Sequence, residues 1–237
     1  MVFQDMYVAL KTVIRELYVK GFVKNKKAGK LAKDTIIMAV LLGVAVGGFY
    51  LYKYYTHSKE ATAQKVLSEC LEEYERAAGG MGSWYDVEVA LEMGYEQNSG
   101  SSLAPYFLAY KADAMLEQDK KRQATEVLKQ ALEKMSPTDD LYGVYNLKLA
   151  LMELDQESSK QEGLKLLEEI AQKDDSGKAG ALYNLGAYYW DQDNLEKAKE
   201  YFEKLTTLEV DIEKDGDIPE FKSQYLEMAK EKLEQLS

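Results

Sequence analysis

The sequence predicts an all-α protein: an N-terminal amphipathic helix, a single transmembrane helix, and then a solenoid of antiparallel helix pairs. Three observations predict this order. Residues 35–52 carry no charge, apolar side chains recur every three or four residues before and after them, and only three of the 237 residues are proline. Such a recurrence is typical of helices with one apolar face. The predicted domains are residues 1–34, 35–55 and 56–237.

The uncharged stretch TIIMAVLLGVAVGGFYLY lies between Asp34 and Lys53. As a helix rising 1.5 Å per residue it is about 27 Å long, close to the ~30 Å of a hydrocarbon core. Two other interpretations are a buried helix of a soluble domain and a cleaved signal peptide. The long lead before the stretch and its aromatic exit favour an uncleaved anchor over a signal peptide. Tyrosine rings favour the headgroup layer, and four lie at that exit: Tyr50, Tyr52, Tyr54 and Tyr55.

The charge distribution predicts the orientation of this anchor. Residues 1–34 contain eight basic and three acidic side chains, a net charge of +5, whereas the whole chain carries −11, so the rest carries −16. Lysine and arginine next to a span stay on the cytoplasmic side. We therefore expect a single-pass protein with its N-terminus inside and residues 56–237 outside. The acidic outer domain excludes nucleic acid as a partner, because phosphates are repelled.

An amphipathic helix is predicted before the anchor, over residues 2–20, where large apolar side chains recur at helical steps. One interpretation places it on the inner leaflet, with its lysines near anionic lipid. The other makes it a docking helix for a cytoplasmic or membrane partner. The residues predicted to make that cytoplasmic contact are Phe3, Tyr7, Leu10 and Ile14.

A helical repeat is clearest in residues 181–208, ALYNLGAYYWDQDNLEKAKEYFEKLTTL. One helix is predicted over about 178–191 and a second over about 195–208, joined by a short turn. We expect the small Gly186 of the first helix to let Ala198 of the second approach closely. Such a pair cannot cover its apolar face alone and must stack on neighbouring pairs.

This unit resembles the tetratricopeptide repeat, whose large residue, Leu-Gly, Tyr, Ala and Phe occur at the same spacing. Residues 103–132 and 142–170 align as degenerate copies, and residues 221–236 form an amphipathic last helix with the charged outer face of a cap. The aligned small residues of the three units are about 39 and 35 residues apart, near the ~34 of this repeat. The family positions matched in the clearest unit are Leu182, Leu185, Gly186, Tyr189, Ala198 and Phe202.

An anchor with its N-terminus inside, followed by degenerate repeats that include NSGSSLAPYFLAYKAD, is similar to the YfgM type of bacterial inner-membrane protein. That resemblance implies an extracytoplasmic scaffold ancillary to the SecYEG translocon, associated with exported chains and periplasmic chaperones, and without enzymatic activity. The alternative is a self-associating structural membrane protein, or an assembly factor for another membrane complex, paired through the glycine-bearing span and the N-terminal helix.

The sequence offers little for catalysis, a metal or a cofactor. His57 and Cys70 are the only histidine and the only cysteine, so nucleophilic triads and ordinary zinc sites lack ligands. Residues 211–217 resemble the start of a calcium loop, but Lys222 stands where a bidentate glutamate is needed. We expect an acidic solvated loop there, and no cofactor or enzymatic activity.

A protein-binding surface is therefore the expected functional feature. The tetratricopeptide resemblance implies that the inner face of each first helix lines a groove that takes an extended or helical peptide. The alternative is that Trp190 packs on the next helix, or that the terminal helix fills this face. A second aromatic site, Trp84 and Tyr85, is expected in the core. Carried onto this sequence, the groove positions are Tyr183, Ala187, Trp190 and Asp191.

Overall fold

The computed structural model describes the backbone of residues 26–212 and 220–236 and of positions 11, 12 and 15. Apart from those three positions, side chains are described at 38, 40–208 and 224–236. Every regular element in these ranges is an α-helix, as predicted. The predicted contacts Phe3, Tyr7, Leu10 and Ile14 lie outside the described residues, as do residues 213–219 of the acidic loop.

The described helices follow one another with short connections. They are α1 (Lys26–Ala78), α2 (Trp84–Asn98), α3 (Ala104–Leu116), α4 (Lys121–Lys134), α5 (Tyr142–Leu154), α6 (Lys160–Gln172), α7 (Lys178–Asp191), α8 (Leu195–Ile212) and α9 (Glu220–Gln235). The chain divides into two compact units, Met1–Ala61 and Thr62–Ser237, which are described separately here.

In the first unit, α1 carries a row of exposed apolar side chains. The large ones described between Met38 and Tyr55 are each 48–76 % exposed. Among the described residues, no helix has an apolar run of the length that crossing a membrane requires. Side chains at 35–37 and 39, which belong to the predicted anchor, lie outside the described ones.

The second unit consists of stacked helix pairs, which confirms the predicted repeat. α3 packs on α4, α5 on α6 and α7 on α8, and each pair contacts the next. The first helices of these pairs begin at Ala104, Tyr142 and Lys178. The predicted helix over 178–191 is observed with those bounds, while its partner α8 continues beyond the predicted end, to Ile212.

A further pair precedes these three. The end of α1 and the whole of α2 bury Cys70, Ala77, Val87 and Leu91 together with Phe107 of α3. α1 ends at Ala78, directly before two glycines. At the other end, the predicted cap α9 buries apolar side chains against α7 and α8.

Paired helices approach most closely at glycines. A Cβ added at Gly186 would lie 2.5 Å from the ring of Phe202. The ring of Phe202, which follows Ala198 by one turn of α8, is therefore the nearest neighbour of Gly186, and the close approach of Ala198 stays a prediction. At Gly163 the neighbour is backbone: an added Cβ would lie 2.8 Å from the carbonyl oxygen of Ala150 and 2.8 Å from the Cα of Leu154.

Replacing Gly163 by alanine is expected to destabilise the protein by about 1–3 kcal/mol, the usual cost of overpacking. Alanine normally favours a helix over glycine by about 1 kcal/mol, but the backbone of α5 cannot move aside as a flexible side chain would. The measurement is thermal unfolding of the full chain in detergent, followed by circular dichroism. Gly100→Ala is the matched control, because no atom lies within 4 Å of its added Cβ. Equal unfolding temperatures for the two variants would contradict this close approach.

Candidate functional site

The first helices of the pairs contact one another along one side of the second unit. Tyr74 of α1 lies against Tyr110 of α3, with ring centroids 5.7 Å apart. Tyr106 of α3 lies against Tyr145 of α5 at 6.4 Å. Farther on, α7 packs between α5 and α9, since Gly180 contacts both Leu147 and Tyr225. We call this surface of residues 62–78, α3, α5, α7 and α9 the first-helix face.

Four half-buried tyrosines occupy its N-terminal half, and we call them the tyrosine cluster: Tyr74, Tyr106, Tyr110 and Tyr145. The Tyr106 hydroxyl donates a hydrogen bond of 2.5 Å to Asp139. Burial and this hydrogen bond raise the pKa of Tyr106 to about 12. Burial, and then neighbouring tyrosines and Asp113, also raise the pKa of Tyr145. Tyr74, whose pKa is also raised, Tyr106 and Tyr145 therefore present neutral hydroxyl groups at physiological pH.

Acidic side chains surround the tyrosine cluster. Burial, followed by the charges of Asp113 and Glu117, raises the pKa of Tyr74. Asp113 forms an ion pair with Lys148 of α5, and its side chain is only 15 % exposed. Burial raises the pKa of Asp113 although Lys148 opposes the shift. Glu117 is exposed at the edge of the same face.

The four groove residues predicted from the sequence lie in the C-terminal half of the first-helix face, where α9 contacts two of them. The Tyr183 ring lies 5.6 Å from that of Tyr225, and Lys232 Nζ lies 4.5 Å from the ring centroid of Trp190. These contacts agree with the alternative in which the terminal helix fills this face. Ala187 is half-buried, Asp191 is exposed, and peptide binding by these four residues stays a prediction.

The two residues of the second aromatic site lie in different places, one in the core and the other at the surface. Trp84 packs on the core of the first pair, with its ring 5.0 Å from that of Tyr74. Tyr85 is 61 % exposed, so its expected place in the core is wrong. The tyrosine cluster was not predicted from the sequence. Its only local signal is the four-residue spacing of Tyr106 and Tyr110, which puts both on one side of α3.

Neither a metal-ligand cluster nor an exposed cysteine is found among the described residues. No three of their histidine, cysteine, aspartate or glutamate side chains are grouped so that they could hold a metal ion. Cys70 is buried, and its sulfur lies 3.5 Å from the carbonyl oxygen of Ala90. Burial and then the charge of Glu69 raise the pKa of this thiol. It therefore stays protonated, and a thiol is a poor nucleophile compared with a thiolate.

Comparison with protein families gives a match that covers most of the chain. The sequence model of the family described as tetratricopeptide repeat-like domain matches residues 29–233. Among curated proteins, none matches the chain. The family match agrees with the stacked helix pairs and with the resemblance seen in residues 181–208.

Tyr106→Phe tests whether the hydrogen bond from the Tyr106 hydroxyl stabilises the packing of the tyrosine cluster. Loss of the hydrogen bond to Asp139 is expected to cost about 1 kcal/mol, at the low end for a charged acceptor because the ring is partly exposed. The pKa of Tyr106 is about 12 in the folded protein and near 10 in the unfolded chain. The protonated hydroxyl therefore stabilises the folded state fully below pH 10, and this stabilisation is lost as the pH rises from 10 to 12. The stability difference from wild type should therefore be constant at pH 7–9 and shrink above pH 10.

The measurement is the thermal unfolding temperature of both proteins across pH 7–11. Tyr85→Phe, at a ring that is 61 % exposed, serves as the control and should match wild type throughout. A Tyr106→Phe protein as stable as wild type at pH 8 would show that the hydrogen bond contributes nothing.

Proposed function

Because this chain belongs to the tetratricopeptide repeat-like family, we propose that it is a membrane-anchored scaffold that binds protein partners through its first-helix face. The tyrosine cluster is the observation that carries the proposal. Tyrosine is enriched at protein interfaces, since its ring gives apolar contact and its hydroxyl a hydrogen bond. Four such rings beside the exposed Glu117 suit an extended or helical segment that brings mainly apolar and some cationic side chains.

Membrane anchoring rests on residues 35–52 and on the charges before them. A helix that is apolar on every side needs either a protein core or lipid around it. The described apolar side chains between Met38 and Tyr55 are exposed all round α1, so lipid is the environment that suits them. The basic lead places the N-terminus in the cytoplasm and Thr62–Ser237 outside a bacterial inner membrane. Association with the SecYEG translocon and periplasmic chaperones follows from the resemblance to the YfgM type.

A second candidate is self-association through the same stretch. Gly43 and Gly47 are four residues apart, and no atom lies within 4 Å of a Cβ added at either. Small residues at this spacing let two membrane helices approach closely. In this alternative the protein acts in assembly, and the first-helix face needs no partner.

Topology is tested by cysteine labelling in a bacterial host. In a Cys70→Ala background, Glu72→Cys and Lys24→Cys place one thiol on each side of residues 35–52. We expect a membrane-impermeant maleimide to label position 72 in intact spheroplasts and position 24 only after lysis, because the basic lead stays inside. Labelling of position 24 alone, or of both positions equally before lysis, would overturn the proposed orientation.

The partner surface is tested by photocrosslinking from Val144, which is 38 % exposed and lies one turn before Lys148 on α5. A photoreactive phenylalanine there should crosslink to translocon subunits or exported chains. The control position is Leu195, which is 47 % exposed at the start of α8, a second helix. Crosslinks from 144 only to another copy would favour self-association, and identical products from both positions would contradict a specific first-helix face.

A further inference from the structure

A second exposed surface lies along α2. This helix is the second of its pair and does not belong to the first-helix face. Met81, in the loop just before α2, is 74 % exposed, and Tyr85, Val89 and Met93 on the helix are 61 %, 39 % and 53 % exposed. The last three follow one another at four-residue steps, so they form one stripe along the helix. In the described part of Thr62–Ser237 the other exposed large apolar side chains lie elsewhere, at Leu141 just before α5 and on α5, α8 and α9. We call these four residues the α2 stripe.

The α2 stripe has no part in the core of its own pair. The other side of α2 supplies Val87 and Leu91, which are 1 % and 0 % exposed. Gly94 lies on that side too, where an added Cβ would be 2.5 Å from the Phe107 ring. The helix is therefore apolar on two sides, and only one of them is buried by the described residues. Apolar side chains grouped on a surface in this way mark an interaction site.

Four carboxylates flank the α2 stripe, and among the described residues only two of them form ion pairs with lysines. Glu88 forms an ion pair of 2.7 Å with Lys120, and Glu92 pairs with Lys111. Asp86 and Glu96 are exposed and pair with no cation in the part of the chain that the structure describes. The surface around the stripe therefore keeps a negative charge that the protein itself does not neutralise.

We propose that the α2 stripe binds a cationic amphipathic helix of a partner protein. The apolar ridge of such a helix would cover the stripe, and its basic flanks would meet Asp86 and Glu96. Two of the four apolar side chains are methionines, which adapt their shape to different ridges. This surface lies on a second helix, so it would hold its partner independently of the first-helix face.

The same charges disfavour the other occupants of an apolar stripe. An anionic lipid surface attracts basic segments and repels acidic ones, and Asp86 and Glu96 are acidic. A second copy docked stripe to stripe would bring these carboxylates against their own counterparts, and like charges across an interface cost several kcal/mol. A cationic helix satisfies both the apolar and the charged part of the surface.

The test measures binding of designed peptides to the full chain in nanodiscs of zwitterionic lipid. One labelled 18-residue peptide has leucines at helical spacing and lysines elsewhere; a second replaces every lysine by glutamate; a third scrambles the first. Fluorescence anisotropy, with empty nanodiscs subtracted, should show binding of the first peptide only. Tyr85→Ser with Met93→Ser should weaken it at least tenfold, as expected when two apolar side chains lose their contacts.

The matched control is Leu195→Ser with Met228→Ser, two exposed apolar residues away from the stripe, which should bind within about twofold of wild type. Asp86→Lys with Glu96→Lys should weaken the lysine peptide and strengthen the glutamate peptide. In proteins with ¹³C-methyl methionine, the Met81 and Met93 signals should shift on binding, while those of the buried Met115 and Met152 stay in place.

Three results would overturn the proposal. The first is unchanged affinity in the Tyr85→Ser, Met93→Ser protein, or equal binding of the glutamate peptide. The second is a dimer, seen by sedimentation without any peptide, that this double variant dissociates, which would make a second copy the occupant. The third is a shift of the Met81 and Met93 signals on adding anionic vesicles but not on adding the lysine peptide, which would make lipid the occupant.

Discussion

The close approach of two paired helices is the constraint on which the repeat unit depends. At Gly163 the backbone of α5 occupies the space where a side chain would begin, and at Gly186 an aromatic ring does so. Helices this close leave their outer apolar sides uncovered, so each pair must stack on the next. Leu147 of α5 and Leu185 of α7 accordingly belong to one core cluster that spans two successive pairs.

Because the pairs stack on one another, their first helices and their second helices are packed differently. Each first helix is held on two sides, and the residues that remain outward are free for recognition, the role that we propose for Tyr106 and Tyr110 of α3. The two ends of the first-helix face then differ. Near the C-terminus α9 contacts Tyr183 and Trp190, which leaves the tyrosine cluster at the other end as the better-placed surface for a partner.

The repeat could be predicted because its signature is local. Gly186, Ala198 and Phe202 lie within one pair, and helical spacing alone puts them on facing sides. That spacing does not say which opposing side chain fills the gap, so Phe202 was missed as the neighbour of Gly186. The tyrosine cluster joins Tyr106 to Tyr145 across two pairs, a contact that depends on how far successive pairs rotate. Tyr85 was misplaced because an aromatic residue on an amphipathic helix usually packs inward.

The two surfaces are both acidic, yet their charges should act differently. On the first-helix face Asp113 is mostly buried and already paired with Lys148, so recognition there depends mainly on tyrosine rings and hydroxyls. On α2, Asp86 and Glu96 are exposed, and their attraction for a cationic helix extends over about a Debye length, ~8 Å at physiological salt. Salt should therefore weaken binding at the α2 stripe, chiefly by slowing association, far more than binding at the tyrosine cluster. The protein would then bind one partner at the tyrosine cluster mainly through shape complementarity, and attract another to the α2 stripe through charge.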